Sequence, residues 1–581
     1  MEEKKLTGYP SIDKPWLKYY SEEAINAPLP NCRIFDYLYT QNKGHDTEVA
    51  LSYFGKDTTY GELFAKIDDT AKAFLHIGVK AGDIVSICSV TTPETIYSFY
   101  GLNKLGAISN MIDPRTSEDG IKHYLNEARS RVLLTIDVAY PKIEKILAET
   151  DIEIVIVVSA ADSMPAFMKI GYRMSQKKHI LVERSCSKVA SWTEFISFAQ
   201  NVESYSYPKY QKGMPAAIVH TGGTTGFPKG VVYSDDSYNH LLHQLKYAGL
   251  KMKRGHKFLG IMPPFIAYGL LCGIHQPLCT GSKLILIPRF ESKQFGKLIR
   301  KYKPNHVWGV PTHFSHMINS KRLAKTDLSF LIRAGVGGDA LNTASEVQIN
   351  DFFNEHHCPH KIIKGYGMTE LNSAACVCND ECNEVGSVGI PFVHTIISAF
   401  NPGTQEELQC GEIGELCVTG PSMMIGYYQN IEETDKVVQI HKDGYKWVHT
   451  GDIGYVNENG LVFIVDRIKR MIIRNDGFKV YPSIIENVIA KHPDVSACAV
   501  VGVRDTQHSQ GLLPKAFVVL QKGVSQTQAQ NAIEELCQKE LAEYAMPIAY
   551  EWCETLPLTP VGKVDFRALE YQAERSISNG E

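Results

Sequence analysis

Val219-His-Thr-Gly-Gly-Thr-Thr-Gly-Phe-Pro-Lys-Gly-Val-Val232 sets glycines, three threonine hydroxyls and one lysine between two short apolar runs. Residues 216–219 before it and 231–233 after it read as strands, each a short apolar run bounded by turn formers. A loop of this composition can turn backbone N–H groups and hydroxyls toward polyphosphate oxygens, because glycine permits close approach and unusual φ/ψ. Lys229 would add a compact positive charge at the same place. The pattern is not a Walker A loop, which needs Gly-Lys-Ser/Thr; here Pro228 precedes the lysine and Gly230 follows it. Taken by itself, such a loop reads equally well as an exposed hairpin.

Outward from the loop, short apolar strands alternate with segments of helical period from about residue 35 to 311. The clearest strands are 84–90, 132–136, 152–158, 283–287 and 306–310, and 61–75 reads as an amphipathic helix. This alternation predicts an α/β fold with two mainly parallel sheets covered by helices. Residues 384–465 change character: short runs such as 414–418 and 461–465 are separated by Gly-, Asp- and Asn-containing turns, predicting a small antiparallel, β-barrel-like subdomain. After Lys469 a compact α+β pattern follows, long enough to fold as a unit. The expected division is a large domain over 1–468 and a small, mobile domain over 469–581. The first thirty residues and the last ten read as peripheral.

The 581 residues are 44% hydrophobic and 21% charged, with a net charge of −4, which describes an ordinary globular chain and argues against nucleic acid as a partner. Met-Glu-Glu-Lys-Lys at the start has no apolar run of the kind a secretory signal needs, and the apolar stretch 152–161 is about half a membrane span. A cytoplasmic setting with reduced thiols is expected for the fourteen cysteines. Cys376, Cys378 and Cys382, with His356, His357, Cys358 and His360 upstream, lack the Cys-x2-Cys spacing of structural zinc and read as loop cysteines. Residues 166–190 carry six Lys/Arg against one Glu, with Phe167, Ile170 and Met174 at helical spacing. A solvated surface segment is the first reading of that stretch, and a peripheral contact with an anionic membrane the second.

Four more motifs accompany the loop, in chain order. They are Gly365-Tyr-Gly-Met-Thr-Glu370, Tyr445-Lys-Trp-Val-His-Thr-Gly-Asp-Ile-Gly454, Asp466-Arg-Ile-Lys469 and Leu556-Pro-Leu-Thr-Pro-Val-Gly-Lys563. Thr59-Tyr-Gly-Glu-Leu63 and Gly337-Gly-Asp-Ala-Leu341 are weaker companions. Together they resemble the signature motifs of the adenylate-forming superfamily, which contains acyl-CoA synthetases, peptide-synthetase adenylation domains and firefly-type luciferases. The resemblance spans roughly residues 30–570.

What the resemblance implies is attack of a carboxylate on the α-phosphate of ATP, giving an acyl-adenylate and pyrophosphate. Both reactants are anionic, so catalysis must come from alignment and positive charge. Thr221, Gly222, Gly223, Thr224, Thr225, Gly226 and Lys229 would hold the β- and γ-phosphates, Thr369 the α-phosphate, and Glu370 a Mg²⁺ ion. Asp452 and Arg467 would hold the ribose, and Tyr366 the adenine face, with Gly338, Asp339 and Ala340 at the base edge. Lys563 would bridge carboxylate and α-phosphate. Lys469 would be the hinge about which the small domain turns, and Gly477 would line a tunnel for CoA.

An acyl pocket is expected from Phe265, Ile266, Tyr268, Gly269, Val310, Val336, Gly337, Gly367 and Met368, a neutral and mostly apolar set. Amino-acid-activating relatives carry an aspartate where this chain has Ile266, and an unpaired ammonium in an apolar pocket is costly. Ile266 also departs from the His or aromatic usual in acyl- and aryl-CoA synthetases, and 504–513 lacks the acidic Gly-Glu pattern common near the thiol tunnel. The expected activity is a medium- to long-chain fatty acid:CoA ligase. Alternatives are an aromatic-acid CoA ligase, a stand-alone enzyme loading a carrier protein, and a non-catalytic nucleotide binder. Joint retention of Lys229, Glu370, Asp452, Arg467 and Lys563 argues against the last.

Overall fold

The two apolar runs that flank the Gly/Thr loop are strands, Pro215–His220 and Gly230–Ser234, paired antiparallel with Ile218 opposite Val232. In the computed structural model, which describes residues 6–175, 188–221, 228–508, 510–558 and 564–578, this hairpin lies at one side of an eight-stranded sheet. From the hairpin the order runs Ile108–Ile112, Ile84–Cys88, Val132–Ile136, Ile154–Val158 and Val189–Ser191, all parallel. Parallel neighbours need crossovers, and the helices Pro93–Leu105 and Glu118–Glu127 supply two of them. These strands are buried almost throughout, which is why they read as continuous apolar runs and not as alternating ones.

A second sheet has nine strands. Its centre is parallel, in the order Ile363–Tyr366, Arg333–Val336, His306–Gly309, Lys257–Gly260, Lys283–Leu286 and Val49–Tyr53. Short antiparallel strands close its edges, Lys56–Thr59 on one side and Cys376–Val377 with Ile390–Pro391 on the other. The helix Tyr60–His76 starts on a capping box: the Thr59 hydroxyl accepts the Glu62 N–H at 3.2 Å, and Glu62 Oε2 accepts the Thr59 N–H at 2.8 Å. Leu63, Ile67, Ala71 and Phe74 then form the buried stripe that seats it.

Residues 384–465 hold the expected antiparallel sheet. The long strand Lys446–Val456 pairs with Val438–Ile440, Gly414–Thr419 and Val462–Arg467, and Gly414–Thr419 pairs in turn with Ile396–Phe400. The small C-terminal domain has its own core. Val495–Arg504 and Leu512–Leu520 form a hairpin extended in parallel by Ala549–Trp552, under the helices Pro482–Ile489, Gln526–Glu540 and Phe566–Ser578.

Three sequence expectations need correction. The N-terminal residues are not peripheral: Trp16 and Ala24 are buried with Ile390, Val393 and Leu461, and the Tyr20 hydroxyl donates to the Pro391 carbonyl at 2.9 Å. Apolar groups separated by almost four hundred residues give no local pattern to read. Of residues 166–190, 176–187 lie outside the described residues; the part before them is the helix Ala166–Ser175, on which Phe167, Ile170 and Met174 are exposed. Of the cysteines read as loop groups beside a pocket, Cys378 and Cys382 do lie outside strands and helices, but none of the three is exposed. Cys376 is in a strand and, with Cys378 and Cys382, is buried; their thiols turn to the Val388 and Ser387 carbonyls and the Asn379 side chain. Finally, several strands are trimmed at an end, 84–90 to Ile84–Cys88 and 152–158 to Ile154–Val158. No described helix is long and apolar enough to cross a membrane.

Glu94, in the first turn of Pro93–Leu105, is 1% exposed. Ser163 donates to its Oε1 at 2.5 Å, while Oε2 has no partner among the described residues. Burial pushes its carboxyl up from 4.5 to about 7. The folded state therefore disfavours the ionised form, so stability is lost as pH rises from about 4.5 through about 7. Glu94→Gln is expected to stabilise the protein at pH 8 by a gain on the order of 3 kcal/mol, and to change little at pH 4, in denaturant midpoints measured at both values.

Candidate active site

Asp452 and Arg467 face each other because Lys446–Val456 and Val462–Arg467 are an antiparallel pair whose register places those two residues opposite. Arg467 Nε lies 2.8 Å from Asp452 Oδ1, and the Tyr366 hydroxyl donates to Oδ2 at 2.7 Å. Asp452 is 3% exposed; burial pushes its carboxyl up, against the pull of the Arg467 charge and the Tyr366 O–H. The strand just before it, where Gly451 takes φ +69°, is fixed from below. Thr450 Oγ1 accepts the Asp452 N–H at 3.0 Å and donates to the Leu416 carbonyl at 2.6 Å. Glu415 Oε1 accepts the Gly451 N–H at 3.1 Å, its Oε2 meets His449 Nδ1 at 3.0 Å, and His449 Nε2 meets His441 Nε2 at 2.9 Å. Glu415, Cys417 and His449 are spaced closely enough to hold a cation, but Glu415 and His449 spend their hydrogen bonds on the strand segment that leads to Asp452.

The strand Ile363–Tyr366 leads through Gly367 and Met368 into the turn Thr369–Leu371. A Cβ on Gly367 would lie 2.3 Å from the Ser373 carbonyl oxygen, so glycine alone fits there. Tyr233 donates to the Thr369 carbonyl at 2.6 Å. Glu370 is 7% exposed; Tyr427 donates to its Oε1 at 2.6 Å, and Oε2 has no hydrogen-bond partner among the described residues. Tyr427 lies on the short strand Gly426–Tyr427, opposite Val231 in the strand that leaves the Gly/Thr loop. Lys229 Nζ sits 4.8 Å from the Tyr427 ring centroid and pairs with Glu433 of the helix Ile431–Val437. Lys229 and Lys436 together hold Glu433 well below the usual carboxylate range. The Lys229 N–H is held by Thr221 Oγ1 at 3.1 Å. Arg467 is raised by Asp452 first and by Glu370 and Asp339 more weakly, so the Asp452 and Glu370 halves share one electrostatic neighbourhood. Gly338, Asp339 and Ala340 form the exposed loop after Arg333–Val336.

Beside them, Phe265 and Ile266 lead into a wide π-helix, Tyr268–His275, a geometry frequent at functional sites. A Cβ on Gly269 would lie 1.8 Å from the Pro263 carbonyl oxygen. The Tyr268 hydroxyl comes within 3.7 Å of the Cβ position at Gly337, so Tyr268 and Gly337 meet side by side. Burial raises the Tyr268 hydroxyl far above its ordinary value. Val336 is buried at the end of its strand, and Val310 precedes the helix Pro311–Ile318. Phe265 packs 5.3 Å from the Arg115 guanidinium, which is paired to Asp113 at 2.7 Å.

The family model for AMP-binding enzymes matches residues 38–428, and that for the AMP-binding enzyme C-terminal domain matches 484–563. The chain belongs to the AMP-binding enzyme family. Within this adenylate-forming superfamily it sits in the acyl-CoA synthetase branch of AMP-forming acid–thiol ligases. A long-chain-fatty-acid–CoA ligase of Bacillus subtilis is 31% identical over 573 residues, covering 96% of this chain and 97% of that protein. A Dictyostelium discoideum protein named Probable 4-coumarate–CoA ligase 2 is 31% identical over 486 residues, 83% of this chain and 82% of that one. The fold matches a crystal structure of an anthranilate CoA ligase in complex with anthranoyl-AMP, with TM-score 0.80 at 22% identity over 95% of this chain and 99% of the other.

In this AMP-binding enzyme the expected phosphate residues Gly222, Gly223, Thr224, Thr225 and Gly226, and the expected catalytic Lys563, lie outside the described residues. The flanks of Lys563 are described: Leu558 and Val564 form an antiparallel bridge, and the Asp565 N–H donates to the Pro557 carbonyl at 2.9 Å. Lys469 is exposed in the turn Ile468–Arg470, and its neighbour Arg470 makes the ties. Arg470 reaches Glu486 at 2.5 Å and Asp466 at 3.4 Å and packs on the Phe566 ring. Gly477 stands in an exposed turn at φ +82°, with no atom within 4 Å of a built Cβ, so the turn itself asks for glycine. Tyr427, Glu433, Tyr233 and Glu415 escaped the sequence reading. Tyr427 sits in a strand of two residues, too short for any periodic signal, and only its pairing brings it to Glu370.

Glu415→Ala removes the acceptor for the Gly451 N–H and the partner of His449 in a buried setting. A loss of about 1–3 kcal/mol is expected in the denaturant midpoint, with a weaker affinity for adenine nucleotide than the wild type.

Proposed function

We propose that this enzyme activates a carboxylic acid with ATP and transfers the acyl group to the thiol of CoA. A carboxylate oxygen attacks the α-phosphorus, the bond from that phosphorus to the bridging oxygen of pyrophosphate breaks, and an acyl-adenylate forms. The CoA sulfur then attacks the acyl carbonyl, its proton is released, and AMP leaves. The observation that carries the reading is the convergence of two clusters on one place: the carboxylate Asp452 with Arg467 and Tyr366, and the carboxylate Glu370 with Tyr427 and Lys229. The first suits two ribose hydroxyls and an aromatic base, with Gly338, Asp339 and Ala340 at its edge; the second suits a polyphosphate and its cation.

On this reading Thr221 and Lys229, with the glycines and threonines at 222–226, hold the β- and γ-phosphates, and Thr369 orients the α-phosphate. The unpartnered oxygen of Glu370 is a ligand of the kind a hard cation prefers, and Mg²⁺ bound there would neutralise phosphate charge. Lys563 stabilises the developing charge between the reactants, arriving on a small domain that turns about Lys469, with Gly477 beside the path of CoA. The division at 468/469 is part of the same proposal.

For the acid we infer a medium- to long-chain fatty acid. The segments around Phe265, Ile266, Tyr268, Gly269, Val310, Val336, Gly337, Gly367 and Met368 offer no charge to a polar substrate, and the Bacillus subtilis relative spans nearly the whole chain. An aromatic acid is the second reading, supported by the Dictyostelium relatives and by the Tyr268–Gly337 contact. Pyrophosphate exchange across a panel of C8–C18 fatty acids, coumarate and benzoate tests both. Exchange with fatty acids only is expected, exchange with the aromatic acids only selects the second reading, and exchange with none overturns the proposal. Release of AMP on addition of CoA, and none with a carrier protein, is expected for the acceptor.

Lys563→Ala is expected to abolish adenylate formation while sparing thioester formation from supplied acyl-adenylate; equal loss in both assays contradicts its role. Tyr427→Phe keeps the ring under Lys229 but removes the hydrogen bond to Glu370. It is expected to raise the Mg²⁺ concentration needed for half-maximal activity several-fold, with kcat at saturating Mg²⁺ within about twofold of wild type, because one neutral-to-charged hydrogen bond is involved.

A further inference from the structure

Cys417 and His449 stand opposite each other in the register of the strands Gly414–Thr419 and Lys446–Val456. Glu415, two residues before Cys417, shares its face of the sheet. Cys417 Sγ lies 3.5 Å from His449 Nδ1, and Glu415 Oε2 lies 3.0 Å from the same nitrogen. All three atoms lie within 4.8 Å of one another, and no other group of three His, Cys, Asp or Glu side chains among the described residues comes so close. Around a tetrahedral Zn²⁺ ion, bonds of about 2.3 Å to sulfur and about 2.0–2.1 Å to nitrogen and oxygen set S and N about 3.5 Å apart and N and O about 3.4 Å apart. Cys417 and His449 already stand at that spacing, and Glu415 would have to withdraw by a few tenths of an ångström.

The hydrogen bonds around the cluster are compatible with such an ion. The Gly451 N–H takes the other oxygen of Glu415, Oε1, so only the contact of Oε2 with His449 is replaced. His449 Nε2 meets His441 Nε2 at 2.9 Å, and the His441 ring is held by Trp447, stacked at 5.6 Å, and by the edge-on ring of Phe400 at 4.8 Å. With its proton on Nε2 and shared with His441, His449 presents a bare Nδ1 to the ion, and His441 is the outer partner that a ligating histidine needs. His441 Nδ1, buried with no partner among the described residues, takes the proton that His441 Nε2 gives up, so only the Cys417 thiol proton leaves for solvent. The His449 and Glu415 side chains are 10% and 8% exposed, which gives the ion a way in and leaves a side for water as a fourth ligand. Asp443 and Glu407 add negative charge around His441. A thiolate joined to an imidazole selects zinc over magnesium, the reverse of the oxygen-only preference at Glu370. We propose that Glu415, Cys417 and His449 form a zinc site that staples the two strands beneath Asp452. The inference stands whether or not the ligase reading holds, since it is measured by binding alone.

The test uses the reduced full-length protein, stripped with a chelator, desalted, and kept in excess Mg²⁺ to fill oxygen-rich sites. Titration with Co²⁺, a coloured stand-in for Zn²⁺, is expected to give a thiolate-to-metal charge-transfer band and the intense visible bands of four-coordinate cobalt, saturating at about one ion per chain and bleached by Zn²⁺. C417S is expected to lose the charge-transfer band, and H441Q to weaken Co²⁺ binding about tenfold or more, the usual effect of losing an outer partner, both with wild-type circular dichroism. C417A repeats the first arm if the serine hydroxyl disturbs the buried sheet. Affinity is expected to rise about tenfold per pH unit, since one proton leaves per ion. Zn²⁺ is expected to raise the thermal midpoint of the wild type and not that of C417S. Absence of a thiolate band in the wild type overturns the proposal, and so does a band of equal strength in C417S, which assigns the ion to another thiol.

Discussion

Asp452 carries a carboxyl group buried in the middle of a strand, and the site is organised around answering its charge there. Burial alone would favour the neutral acid. Arg467 answers the charge from across the hairpin and Tyr366 answers it from the second sheet, so one buried group joins the antiparallel subdomain to the parallel one. Removing either partner leaves a buried charge underpaid in hydrogen bonds, whereas the three together are mutually satisfied. Below them, Glu415, His449 and His441 fix the strand at Gly451–Asp452 in place, so the carboxyl group is aimed.

A second joint runs through Tyr427. Its strand pairs with the one that leaves the Gly/Thr loop, its hydroxyl holds Glu370, and its ring lies near Lys229. Groups that the sequence places almost two hundred residues apart thereby meet through a single side chain. The π-helix at Tyr268–His275 and the close approaches at Gly269 and Gly367 set the wall beside this joint with little room for adjustment.

Much of this was legible before any coordinates. Apolar runs located the strands because parallel strands are buried on both faces, and the resemblance put Asp452 and Arg467 together, which the hairpin register then sets opposite each other. The Thr59 capping box, too, is written in four consecutive residues. What the sequence hid is non-local. Trp16 seats against strands some four hundred residues away, Tyr427 belongs to a strand too short to show a period, and Cys376 sits in a buried strand where composition suggested a loop. Arg470, in contact with Asp466, Glu486 and Phe566, makes the side-chain ties where the motif draws the eye to Lys469.

The pairing of Lys229 with Glu433 carries a consequence for any anion that comes to the loop. The lysine does not wait bare in solvent; it already has a tenant. An incoming ligand must therefore exchange with a carboxylate and not simply neutralise a cation, and the net electrostatic gain is the difference between two attractions. Such an exchange filters by valence: a singly charged anion offers no more than the resident side chain does, while a polyphosphate presents several oxygens at once. Selectivity for highly charged ligands then comes from a side chain on the neighbouring helix, which never has to touch them.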